Sequence, residues 1–428
     1  MKMIFIRWTL IGLLIRFLIM PFSFHGEDIF FIYYAPFKFI EQGAWDPYLF
    51  LKSNFPQIYN PYYPPLAFFI NSIFLFLFKP LLPSLHNLFS LYESRAFAWQ
   101  GNTIHYADVL TGHQLFRSLF IFKIPYLIFD FGTAWFLYQI LKPDKRKSLL
   151  SYKIWLLNPF VLHSCYALGQ FEIMIAFFMM ASIYCIYLNR KYFAMLLLTC
   201  GFLTKTFPII LVPFAILLSG NTFKEWFKLS LIVMISLIIF IAPFYLSSNN
   251  AIFEALFFSH GGVYFLRLIF FIVSYLVLIC LLFFRKKGEH IDLDLIILSF
   301  ISGLLLFYAF YTVTLRFFVL ITPLLIYVAF KNKRFWIYNI IFLVALFILR
   351  TCGNSQQWGL FAALHPEFFS SLPIADSYIN LIINVKYIHQ FMYRLFFISS
   401  LTMVFHILLA NKNIFKLPLP IGVKNEKK

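Results

Sequence analysis

The chain is a succession of apolar runs separated by short polar stretches. The runs fall near residues 3–22, 118–141, 152–168, 171–188, 229–246, 264–284, 293–312, 317–330, 335–350 and 387–410. Most approach or exceed the roughly 17 apolar residues that a spanning helix needs. Two further stretches depart from this pattern. The run over residues 65–78 is short for a crossing, so it reads as a juxtamembrane or re-entrant helix, or else a further crossing lies between residues 80 and 117. In 192–219, Lys205 and Pro208 interrupt an apolar stretch. Two short helices with Lys205 near their turn fit it, because broken backbone at membrane depth is tolerated where it lines a cavity. The expected fold is an all-α, polytopic integral membrane protein of about 11–13 transmembrane or re-entrant helices, with juxtamembrane helices in its first outer loop. No soluble domain, internal repeat or low-complexity tract is visible, so residues 1–428 read as a single transmembrane domain.

The polar positions orient the runs. Basic clusters stand at Lys142 with Lys145, Arg146 and Lys147, at Arg190-Lys191, at Lys224 and Lys228, at Arg285-Lys286-Lys287, at Lys331, Lys333 and Arg334, and from Lys412 to Lys428. Under the positive-inside rule these mark the cytoplasmic face, as do Lys2 and Arg7 at the start. The first run then delivers Glu27 and Asp28 to the outer face. That face also receives residues 23–62, the turn Gly169-Gln170-Phe171-Glu172, the loop 247–262 with His260, the turn at Arg316 and the loop 351–377.

Composition changes the picture only by exclusion. With 62% hydrophobic, 22% aromatic and 12% charged residues, a chain of 428 residues cannot be a soluble globule. The net charge of +18 is accounted for by the cytoplasmic clusters, and nucleic acid is not expected as a partner. Cys165, Cys185, Cys200, Cys280 and Cys352 show no paired spacing, which indicates neither a disulfide framework nor a zinc site. His25, His260, His365 and His389 are likewise scattered without ligand spacing. The basic start resembles a signal peptide but lacks a small-residue cleavage site, so it reads as a retained first helix. The outer loops hold no Asn-x-Ser/Thr acceptor, which favours a prokaryotic membrane.

Acids are scarce, and an adjacent pair at the edge of a bilayer is costly unless it faces water or substrate. Asp28 is therefore the candidate general base, with Glu27 orienting it or sharing its proton. The bland alternative is a solvated helix boundary. Tyr33, Tyr63 and their neighbours from Trp45 to Leu66 suit a lipid–water boundary, and aromatic rings also stack on sugar faces. Pro64-Pro65 equally reads as the stop of one helix and the start of the next. Lys123 and Asp130, seven residues apart on one run, read as a structural intramembrane pair.

Several of these features occur in an order that resembles the GT-C superfamily of polytopic glycosyltransferases, in particular its bacterial mannosyltransferase-like and GPI-mannosyltransferase-like branch. They are the acid after the first helix, Gly43 with Pro47-Tyr48, Tyr63-Pro64-Pro65-Leu66, Asn158-Pro159 leading to Gly169-Gln170-Phe171-Glu172, and Lys205 with Pro208 and Pro213. The resemblance covers residues 1–220, and 221–428 match only as a variable helical bundle. It implies transfer of a hexose such as mannose from a polyprenyl-phospho-sugar to a lipid-linked or glycan acceptor, with inversion. It places a multi-pass enzyme in the inner (cytoplasmic) membrane with its site on the extracytoplasmic face.

By the same resemblance Asp28 matches the catalytic acid of the first outer loop, and Gln170 with Glu172 matches a second motif. Relatives commonly carry Asp where Glu172 stands, so orientation of the acceptor suits Glu172 better than direct catalysis. No Gly-rich phosphate loop is present and glycine is only 16 of 428 residues, so a soluble nucleotide sugar has no evident seat. A lipid-borne donor needs none. Its phosphate requires outer cations, and Lys205 and Arg316 are the basic residues there that topology does not call for. For each, an anchoring role stands beside this one. The expected substrate contacts are thus Tyr33, Tyr63, Gln170, Glu172, Lys205, Arg316 and His260, with no required cofactor; a divalent ion on the outer acids is left open. A transporter or lipid flippase and a polysaccharide polymerase or ligase are the rival readings.

Overall fold

A computed structural model describes residues 2–54, 63–96, 113–248, 252, 265–285, 292–311, 315–352 and 359–409. The described residues are predominantly helical and contain no strand. In chain order the helices are α1 (Lys2–Ile19), α2 (Gly26–Gln42), α3 (Pro47–Asn54), α4 (Pro65–Phe78), α5 (Leu85–Ala96), α6 (His113–Ile140), α7 (Lys145–Leu156), α8 (Glu172–Tyr187) and α9 (Lys191–Thr204). They continue as α10 (Val212–Ser219), α11 (Phe223–Ser248), α12 (Phe265–Arg285), α13 (Leu293–Phe310), α14 (Phe318–Lys331), α15 (Trp336–Thr351), α16 (Pro366–Ser371), α17 (Ala375–Ile379) and α18 (Val385–Leu409). Single helical turns cover Pro159–Val161 and Leu162–Ala167, the latter wound as a π-helix.

Six helices among the described residues are long and apolar enough to cross a bilayer: those at Gln114–Ile140, Phe223–Ser247, Leu266–Phe284, Leu293–Phe310, Lys333–Thr351 and Val385–Leu409. The protein is an all-α, multi-pass membrane protein. The other apolar helices, including α4, α8, α9 and α14, are shorter. The expected crossings thus divide into full spans and short helices, except that α1, whose 18 residues include Lys2, Arg7 and Arg16, and the broken run 152–168 fall in neither group. The short ones are largely buried: α8 and α14 lie at the centre of the core, whereas α12 is exposed along most of its length.

Helix ends follow local chemistry. The Gly43-to-Tyr48 motif is a stop followed by a start. Gly43 closes α2 in the left-handed region (φ 68°), which a residue without Cβ adopts freely. Asp46 Oδ1 then accepts the Tyr48 and Leu49 amides at 2.9 and 3.0 Å, with Pro47 in the first position of α3. Pro64 caps α4 and Pro65 occupies its first turn, so this proline pair starts a helix. The run 152–168 is not one helix. Asp144 caps α7 inside the basic cluster, and Asn158-Pro159 ends and restarts the chain, Asn158 Oδ1 accepting the Phe160 amide at 2.9 Å.

Lys123 and Asp130 do not pair with each other. Seven residues share a helix face but lie about 10 Å apart along its axis, too far for an ion pair. Asp130 instead binds Arg16 across the bundle: Nε donates to Oδ2 at 2.6 Å, with both side chains fully buried. Trp155 Nε1 and Tyr166 OH each donate to the same carboxylate at 2.7 Å, and Arg16 also reaches the Gly12 and Leu156 carbonyls at 2.9 Å. A charge pair so placed is tolerated because nearly every donor and lone pair is used. Lys123 Nζ donates to the carbonyls of Met20, at 2.8 Å, and Ser23. These follow the end of α1, where the ladder leaves carbonyls without partners.

Candidate functional site

The first loop is fixed from three directions. Lys123 holds its start through the Met20 and Ser23 carbonyls. The Phe24 amide donates to Leu360 O at 3.0 Å, and the His25 amide donates to Leu168 O at 3.2 Å. One residue later α2 begins, so the backbone of Glu27 and Asp28 stands in its first turn, beside the Gly169 turn. Gly169 is in the left-handed region (φ 85°), and a Cβ there would lie 2.9 Å from Ile29 Cδ1. Only glycine permits this approach of α2 to the turn. Tyr126 OH secures the turn from α6 by donating to Gly169 O at 3.0 Å. The Gln170 amide reaches back to Ser164 O in the π-wound turn, a local geometry enriched at functional sites.

Glu172 opens α8, and Lys205 follows the last residue of α9. These two helices form an antiparallel hairpin whose turn places Asn189 in the left-handed region (φ 60°). Closing the hairpin sets the positive end of α8 beside the negative end of α9. An acid at the first and a base at the second both complement the helix dipoles. The side chains meet: Lys205 Nζ lies 2.6 Å from Glu172 Oε1, with the two residues 2% and 0% exposed. Lys205 itself is extended (φ −157°, ψ 141°), and the chain resumes as a short 3-10 turn over Phe207–Leu211 before α10.

Three aromatic rings surround the Lys205 ammonium, those of Tyr63 (5.5 Å), Phe171 (5.7 Å) and Phe317 (4.4 Å). Tyr63 also meets Phe171 edge to face with centroids 4.6 Å apart. The Arg316 guanidinium stands 5.2 Å from the Phe317 ring, so both cations share one ring. Beyond it opens a cavity of about 740 Å³, walled by Thr206, Phe207, Leu237, Ile241, Phe307 and Phe317 among others, with no charged residue on its lining.

The structure therefore gathers Tyr63, Glu172, Lys205 and Arg316, which the sequence analysis named separately. Gln170 lies two residues before Glu172, fully buried, and neither its amide oxygen nor its nitrogen finds a partner among the described residues; the same holds for Glu172 Oε2. Tyr33 is placed differently. Its ring stacks on Phe122 and its hydroxyl donates to Phe122 O at 2.5 Å, so it braces α2 against α6. The side chains of Glu27 and Asp28, and all of His260, lie outside the described residues. Among those residues no group of three potential metal ligands forms.

Sequence reasoning missed Phe317 as the shared ring, Tyr126 as the clamp on the turn, and the Glu172–Lys205 pair. The pair had a signal: an isolated acid and an isolated base at the matched ends of two consecutive apolar helices joined by a short turn. The Asp46 contact to Ser247 Oγ, which ties α3 to the end of α11, had none. The chain matches no protein-family model, no curated protein and no solved structure.

Proposed function

We propose that the protein is a membrane glycosyltransferase that moves a sugar, a hexose such as mannose, from a polyprenyl-phosphate carrier to a lipid-linked or glycan acceptor at the extracytoplasmic face. One observation carries this reading: two cations share the ring of Phe317, and that residue also forms part of the wall of an apolar cavity. That arrangement suits an amphiphile with an anionic head and a long hydrocarbon tail. The phosphate takes hydrogen bonds from Lys205 and Arg316, and the isoprenoid tail lies against Leu237, Ile241 and Phe307. Glu172 Oε1 accepts a hydrogen bond from the Lys205 ammonium at 2.6 Å. Glu172 thus aims Lys205 and lowers the net charge that the phosphate meets.

In the proposed reaction the acceptor hydroxyl approaches the anomeric carbon opposite the phosphate. Asp28 removes its proton as the new C–O bond forms and the bond from carbon to phosphate oxygen breaks. The electron pair leaves with the lipid phosphate, which the two cations stabilise. Inversion follows from the single displacement. The amide of Gln170 and the second oxygen of Glu172 supply polar contacts to the hydroxyls of the acceptor, and Tyr63 offers a ring face to a sugar.

The tail site is tested with a polyprenyl phosphate bearing a diazirine along the chain, irradiated with the protein in nanodiscs. Adducts are expected on Leu237, Ile241 or Phe307 and are competed away by unlabelled polyprenyl phosphate. Labelling elsewhere, or labelling that the competitor does not reduce, removes the cavity from donor binding. The break at Lys205 also suits a flippase for lipid-linked saccharides, since transporters bind at interrupted helices. The two readings part on whether the donor is consumed.

A further inference from the structure

The segment between α15 and α18 carries an apolar surface that the donor site does not use. Leu364 (48% exposed) and Phe368 (53%) project around α16, and Tyr378 (61%), Leu381 (82%) and Ile382 (90%) follow at and after α17. Surfaces in contact with water rarely gather large apolar side chains this densely. What covers these residues follows from where the segment joins the bundle. α18 has 25 residues, about 37 Å of helix against a hydrocarbon core of about 30 Å, so it is long enough to span the core and reach the interfacial layer. Its outward stripe, Tyr387 (65%), Phe391 (60%), Ile398 (60%) and Phe405 (58%), is apolar and exposed, as the lipid side of a span is. Leu381 and Ile382 lie exposed in the turn just before that helix, and Tyr378 and Tyr387 bring the amphipathic rings typical of the membrane–water boundary.

The same segment is tied to the candidate site. Leu360 O accepts the Phe24 amide at 3.0 Å, one residue before the His25 contact to the Gly169 turn. We infer that residues 361–383 are a monotopic element lying in the bilayer interface, with Leu381 and Ile382 inserted among the lipids, and that this anchoring holds the first loop through Leu360. The partner is the bilayer itself. This inference is independent of the sugar-transfer reading, because it uses neither the cations nor the cavity.

The test places the photoactivatable residue p-benzoylphenylalanine at Ile382 in the full chain, in nanodiscs of phosphatidylethanolamine and phosphatidylglycerol. Lipid adducts are counted by mass spectrometry against the same residue at Phe405, within a span, and at Lys145, an exposed position in the basic cluster. Position 382 is expected to give adducts within about threefold of position 405 and well above position 145. A yield at 382 no higher than at 145 places the segment in water and overturns the inference. A second measurement reads the link to the site. Ile382→Asp is expected to raise hydrogen exchange at the Phe24 amide by about tenfold while amides within α8 are unchanged. Unchanged exchange at Phe24 in a variant that has lost lipid contact overturns the coupling.

Discussion

Replacing Asp28 by asparagine is expected to lower sugar transfer by about a hundredfold or more and to leave the fold intact. The amide keeps the size of the carboxylate but cannot take the acceptor's proton. The surroundings predict a clean effect, because the backbone here is held by contacts that do not involve this side chain: Phe24 to Leu360, His25 to Leu168, and Ile29 against Gly169. Asp28 stands in the first turn of α2, where exposed backbone N–H groups favour an anion. Glu27→Gln, at the neighbouring position, is expected to cost less. The check is turnover alongside thermal unfolding in the same detergent. Turnover of Asp28→Asn near that of the parent chain removes Asp28 from the mechanism.

The second large effect concerns the buried ion pair. Lys205→Met leaves Glu172 fully buried opposite a thioether, and breaking such a pair typically costs about 3–5 kcal/mol. The double variant Lys205→Met/Glu172→Leu removes both charges and is expected to recover most of that loss, because an apolar pair of similar volume needs no compensation. Donor binding behaves differently. It is expected to fall about ten- to a hundredfold in both variants, since each lacks the ammonium proposed to contact the phosphate. Arg316→Met is expected to lower donor binding to a similar degree without the loss of stability, and Arg350→Met is expected to do neither. Thermal unfolding and direct titration of a donor analogue separate the two roles. Full donor affinity in the stable double variant shows that Lys205 serves only the fold.

The sequence made the helices legible where a local rule governs them. Proline at positions 65 and 208, the charge at Lys205 and the basic clusters mark α4, the break after α9 and the ends of most spans. Asp144 shows the limit of that reading: it caps a helix that starts inside a basic cluster, so α7 begins where charge alone suggests a loop. Pairings across the bundle were less legible. Asp130 has an obvious partner on its own helix in Lys123, but the helical rise puts that residue out of reach, and Arg16 on α1 takes its place. The pairing of Glu172 with Lys205 depends on closure of the α8–α9 hairpin, and the sharing of Phe317 by two cations depends on how α13 and α14 meet that hairpin. Residue identity foreshadowed Lys205, Arg316 and Glu172 because charge inside apolar sequence is costly enough to need a reason. It offered no such signal for Phe317, one of many phenylalanines.

The proposal that this chain consumes a lipid-linked sugar is tested most directly by turnover. Purified protein in nanodiscs is incubated with a panel of polyprenyl-phospho-sugars and hydroxylated acceptors, and free polyprenyl phosphate is followed by mass spectrometry. Release of the lipid phosphate from at least one donor, in step with glycosylated acceptor and suppressed in Asp28→Asn, is the expected result. Intact donor across the panel, with movement of the lipid-linked saccharide or another solute across the bilayer of proteoliposomes, would contradict it and identify a transporter.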